Sequence, residues 1–114
     1  MPKPILSILP ILCLVATPAL ADVSRRDAIE AQTASALASA DYAQRHCPSL
    51  RIGWQRVEQN LKSINGTIEA LRRTESYAEQ LTALQSVEKQ QGRAMVCAVL
   101  PSAHGGYGRG VILR

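Results

Sequence analysis

The sequence predicts an all-α protein, a small bundle of three to four helices stapled by one disulfide and followed by a Gly-rich C-terminal tail. Three observations predict it. Apolar residues recur at three- and four-residue steps, most clearly at Trp54, Val57, Leu61, Ile64, Ile68 and Leu71, the spacing that lines one face of a helix. Ser24 with Asp27, and Ser76 with Glu79, have the form of helix-starting capping boxes. Two cysteines, Cys47 and Cys97, survive removal of the N-terminal leader, and an even count in a short exported chain reads first as a disulfide.

The leader opens the chain. "MPKPILSILPILCLVATPALADV" places Lys3 before an uncharged run from Ile5 to Ala16, which ends at Ala19-Leu20-Ala21. That is the positive, apolar, small-x-small order of a signal peptide. The run is too short for a bilayer core of about 30 Å, which needs roughly 20 apolar residues. Residues 1–21 are therefore expected to be removed, with a mature chain from Asp22 in the periplasm or secreted. Cys13 follows Pro10-Ile11-Leu12, which lacks the small residue of a lipidation box. No stable membrane insertion is expected after cleavage.

Cleavage leaves residues 22–114, divided into a helical domain over 22–100 and the tail over 101–114. Of the 13 Lys+Arg only Lys3 is lost, so the net charge falls from +4 to +3. The mature chain holds 19 Leu, Ile and Val, no Phe and one Trp. A chain of this size buries only about 60–65% of its extended surface, so the core is thin and needs a staple.

Cys47 and Cys97 allow one intramolecular pairing. Closing a loop of about 50 residues stabilises the fold by roughly 4 kcal/mol on the chain-entropy estimate. Other roles for Cys47 lack their patterns: His46 precedes it, and no second cysteine lies within the Cys-x-x-Cys spacing of haem attachment or redox catalysis. Zinc would have to gather Cys47, Cys97, His46 and His104 without any ligand spacing. No metal and no cofactor is expected.

The first bundle helix is expected from about residue 24 to 46, with Ile29, Ala36, Leu37, Ala40, Ala43 and Cys47 in step. Pro48 disfavours the α conformation at Cys47 and ends it. After a short extended piece, "PSLRIG", the Trp54–Leu71 stripe follows. Asn65-Gly66 interrupts it without shifting its phase, so either one weakened helix or two collinear pieces are expected. Tyr77, Leu81, Leu84 and Val87 line a further helix, running to about Gln91. In "GRAMVCAVLP", Gly92 allows a bend, Met95, Val96, Val99 and Leu100 are apolar nearly all round, and Pro101 closes the segment. Cys97 is thereby expected on the most buried short helix.

The tail, "PSAHGGYGRGVILR", holds four glycines but neither a dinucleotide fingerprint nor a P-loop. Arg109 and Arg114 are too few for a nucleic-acid footprint, so no nucleic-acid partner is expected. Val111, Ile112 and Leu113 are expected to lie back on the bundle.

"HCPSLRI", a second cysteine in a late helix and the closing "YGRGVILR" resemble small, uncharacterised, exported one-disulfide helical proteins of Gram-negative bacteria, across about a quarter of the mature chain. The stretch "PSAHGG" between helix and tyrosine is longer here than in their usual form. The resemblance implies compartment, helical fold and disulfide, and no active site. A looser similarity, without a shared motif, is to the periplasmic acid-stress chaperones.

The acid-base groups, His46, His104, Asp41, Glu58, Glu69, Glu75, Glu79 and Glu88, show one obvious pair, Asp41 with Arg45 at i and i+4. No catalytic residue is assigned and no enzyme is expected. Two functional classes remain: a monomeric, non-catalytic module that binds a protein partner, and a stress chaperone or membrane-surface-active protein. Tyr107 and Arg109 are the partner-binding candidates, because Tyr and Arg most often dominate interface energy.

Overall fold

The computed structural model describes the backbone from Lys3 to Arg114 and the side chains from Arg25 onward. The expected leader, with its cleavage after Ala21, lies outside the residues whose side chains are described. The elements in order are α1 (Lys3–His46), β1 (Arg51–Ile52), α2 (Trp54–Ile64), α3 (Ile68–Leu71), α4 (Glu75–Gln91), α5 (Arg93–Ala103), a 3-10 turn (Gly106–Gly108) and β2 (Ile112–Leu113). The all-α expectation holds. α3 is a single turn, and β1 and β2 form one two-residue antiparallel pair, Arg51 with Leu113 and Ile52 with Ile112.

α1 does not begin near Ser24 as the capping pattern suggested. It is continuous through that point, because helical residues upstream supply the carbonyls that a cap would otherwise replace. Its C-terminal half is the hub of the fold and contacts every other element. Thr33, Ala34, Ala36, Leu37, Ala38, Ser39, Ala40, Tyr42 and Ala43 are all buried, so nearly the whole circumference is covered. The alanines make this possible, since a side chain of one carbon lets neighbouring backbones approach from several sides.

The Trp54–Leu71 stripe breaks between two helices. Asn65 takes the left-handed conformation with φ 52°, its N–H donates to the Lys62 carbonyl, and the Gly66 N–H donates to the Leu61 carbonyl. This is a Schellman closure with Asn, rather than Gly, in the left-handed place. Thr67 then caps α3 by accepting from the Ala70 N–H. Phase survives, and Val57, Leu61, Ile64 and Leu71 are all buried.

α4 starts at Thr74, whose hydroxyl accepts from the Tyr77 N–H, so the Ser76–Glu79 box is not the cap. Thr74 satisfies an orphan N–H two residues earlier, which leaves Ser76 inside the first turn. Gly92, at φ 92°, turns the chain into α5. That helix corrects two expectations. It continues through Pro101 to Ala103, although a proline there removes the N–H that would bond the Cys97 carbonyl and crowds that oxygen, while its fixed φ remains compatible with the helix. It is also half exposed: Val96 and Leu100 are buried, whereas Met95 and Val99 are 45% and 44% exposed. A helix packed along one side hides one stripe only.

Cys47, at the end of α1, is bridged to Cys97 on α5 with 5.6 Å between their Cα atoms. Val111 and Ile112 enter the core while Leu113 stays largely outside. The tail therefore lies on the bundle at Val111 and Ile112, as expected, but not at Leu113, which β2 turns outward. Among the described residues, no helix is long and apolar enough to cross a membrane.

Candidate binding surfaces

Of the residues singled out in the sequence, Cys47 and Cys97 meet in the bridge, while Tyr107 and Arg109 sit together at the 3-10 turn over α1 and α2. The turn is held through its main chain. Gln32 Oε1 accepts from the Tyr107 N–H at 2.9 Å, and Asn60 Nδ2 donates to the Tyr107 carbonyl at 2.6 Å. Asn60 also donates to Thr33 Oγ1 at 3.1 Å, so one buried amide joins α1, α2 and the tail. Gly108 lies against the helix so closely that a Cβ there would stand 3.3 Å from the Ala36 Cβ. The Arg109 side chain is exposed and Tyr107 is half-buried. Beside them runs an open groove of about 370 Å³, lined by Gln32, Ser35, His104 and Gly105 among others.

His104 closes one side of that groove. Its Nε2 lies 2.7 Å from Ser39 Oγ, and Gln80 Nε2 donates to the same oxygen at 3.1 Å. With Gln80 donating, the Ser39 hydroxyl is left to donate to the imidazole. Burial pushes His104 below its ordinary value, in keeping with a neutral ring that accepts. The arrangement resembles a Ser–His pair, but Ser39 is fully buried. No substrate reaches its oxygen.

Compared with known proteins, the chain matches no family model, no curated protein and no solved structure.

A second surface lies where α1 and α4 face each other. Asp41 does not pair with Arg45. Both its oxygens accept from Arg72 at 3.0 Å, and the Tyr77 hydroxyl donates to Oδ2 at 2.5 Å. The reason is geometric: the planar Arg72 fork matches a carboxylate bidentately, and Tyr77 approaches from α4 on the same side. Near the other end of the cleft, the Tyr42 hydroxyl donates to Glu88, which also accepts from Arg93 at 3.3 Å. Each carboxylate is thus clamped by one tyrosine and one arginine. Nothing in the sequence spacing joins these residues, which come from α1, α4 and the segments flanking them.

The clamps set a pH dependence. Partial burial would raise Asp41, but the Arg72 and Tyr77 bonds together hold it below the usual carboxylate range. The Tyr42 hydroxyl, with Arg93, lowers Glu88 likewise. Burial and then the Glu88 contact push Tyr42 up to about 12, and Tyr77 rises for the corresponding reasons. Depressed carboxyls contribute stability that is fully present above their unfolded values and lost as pH falls through the folded ones. Thermal melts should therefore be flat from about pH 7 to 9, begin to decline below about pH 6.5 as the unfolded chain protonates His104, which the fold buries, and fall steeply below about pH 4. Asp41→Asn should lower the neutral-pH melt and flatten that acid limb; an acid limb as steep as the parent's would show that Asp41 has no part in it.

Among the described residues, no three of His, Cys, Asp and Glu gather to hold a metal ion.

Proposed function

We propose that the mature chain is a non-catalytic periplasmic or secreted helical protein that works by binding a protein partner through the Tyr107–Arg109 face. The observation that carries this reading is how the tail is attached. Main-chain bonds from Gln32 and Asn60 fix the turn, and the buried Val111 and Ile112 anchor the chain beyond it. The Arg109 side chain and part of the Tyr107 ring are therefore left over, on a pre-organised loop beside an open groove. Pre-organisation lowers the ordering cost of binding. The bridge suits an oxidising compartment, the expected leader would supply export, and the Ser39 hydroxyl that meets His104 is covered.

Tyr107→Ala with Arg109→Ala tests the face. The double variant should keep the parent melt within a few degrees, because the bonds that dock the turn belong to the backbone. Its affinity for a partner captured by the parent should drop at least about tenfold, as loss of central Tyr and Arg contacts does elsewhere. Unchanged affinity would show that binding lies on another face, and unfolding would show that these side chains belong to the core.

The alternative reading, a stress chaperone or surface-active protein, draws on the two clamps. Acid would unlock α4, whose only buried side chain is Leu84, and expose the apolar side of α1. Capture of unfolded client protein at pH 3 but not at pH 7 would favour it.

A further inference from the structure

We propose that the cleft between α1 and α4 is a carboxylate-binding site with Arg45 and His46 as its donors. The cleft measures about 180 Å³ and is walled by Tyr42, Tyr77, Leu81 and Gln85, with Arg45 and His46 on its α1 side. It is lined by two carboxylates, yet these are already occupied. Asp41 accepts three hydrogen bonds, from Arg72 and Tyr77, and Glu88 accepts from Tyr42 and Arg93. An incoming cation would have to displace them.

The donors tell the opposite story. Arg45 and His46 make no side-chain hydrogen bond or close ion pair among the described residues, although both line the cleft and act through space on Asp41 and Glu88. The His46 ring is held in place by the Tyr42 ring, at 4.7 Å between centroids and tilted by 59°. Arg72 and Arg93 do not line the cleft, but each neutralises the carboxylate it clamps, which leaves the Arg45 charge in excess. A guanidinium fork matches a planar carboxylate, and an imidazole N–H adds one further bond. The tyrosine rings and Leu81 offer an apolar bed to whatever carries the carboxylate. α1 ends here, and the negative end of its dipole offsets part of the attraction. Binding in the millimolar range is therefore expected, a Kd of about 1–10 mM for a ligand of benzoate size.

The carboxylate could belong to a free small molecule or to an acidic side chain of a partner protein. Titration of the bridged protein with sodium benzoate, followed through the His46 ring and Arg45 side-chain NMR resonances, should give saturable shifts. Benzyl alcohol, of the same shape without the charge, should shift them far less. Arg45→Gln should weaken benzoate binding about tenfold, the loss of one charge-assisted pair, with an unchanged far-UV spectrum. Arg45→Lys should recover part of it. A capped Ala-Glu-Ala peptide separates the two sources: competition with benzoate assigns the cleft to a partner's side chain, and exclusion assigns it to free carboxylates. Absence of saturable shifts, equal shifts with benzyl alcohol, or full benzoate affinity in Arg45→Gln would each overturn the proposal.

Discussion

Reducing the Cys47–Cys97 bridge is expected to cost about 4 kcal/mol of stability, the chain-entropy value for a loop of this length. The whole stability of so short a chain is on the order of 5–10 kcal/mol. At about 4–8 °C per kcal/mol for a domain of this size, the melt should fall by roughly 15–30 °C. The structure shows why little else makes up the loss. α5 buries only Val96 and Leu100 while Met95 and Val99 face outward, so its hold on the bundle depends on the covalent tie to Cys47. Melting the protein with and without a phosphine reductant, by circular dichroism, decides the matter. A shift of less than a few degrees would mean that burial alone fixes α5, contrary to the thin core.

Gly53→Ala is expected to be the most disruptive change that adds a single carbon. The Gly53 N–H donates to the Val111 carbonyl at 2.7 Å, and a Cβ at Gly53 would collide with the Gly110 carbonyl oxygen. That neighbour is backbone and cannot rotate aside as a side chain could. The tail must then move away from β1, withdrawing the fully buried Val111 and the nearly buried Ile112. Overpacking with the loss of this pairing should cost about 3 kcal/mol. The urea midpoint should fall accordingly, and the Gly53 amide should lose its hydrogen-exchange protection. Retained protection at Gly53 would mean that the tail accommodates the methyl in place.

Helix positions and the residues that face inward were largely legible along the chain, because both follow from local periodicity. Val57, Leu61, Ile64 and Leu71 were placed on one face by spacing alone, and all four are buried. Caps were less legible: the spacing pointed to Ser76, and the path of the chain out of α3 made Thr74 the cap instead. The candidate site divides in the same way. Tyr107 and Arg109 stood out as residue types at a Gly-rich turn. The cleft did not, since Asp41 meets residues 31 and 36 positions away and Tyr42 meets one 46 away. Sequence spacing suggested the nearer Arg45 instead.

The sequence by itself determined that this protein is helical, that Cys47 and Cys97 are the two cysteines outside the expected leader, and that its apolar ending seeks cover. Those properties reside in steps of three and four residues, in the placement of Cys13 within the apolar run, and in the cost of leaving Val111 and Ile112 in water. Only the tertiary structure decided that the alanine-rich α1 is the hub, since small side chains permit close approach on every side without specifying which neighbours come. It alone decided which arginine takes Asp41, because a charged pair far apart in sequence is chosen by the path of the backbone between its members. For the same reason Arg45 and His46 line the cleft without a side-chain hydrogen bond among the described residues.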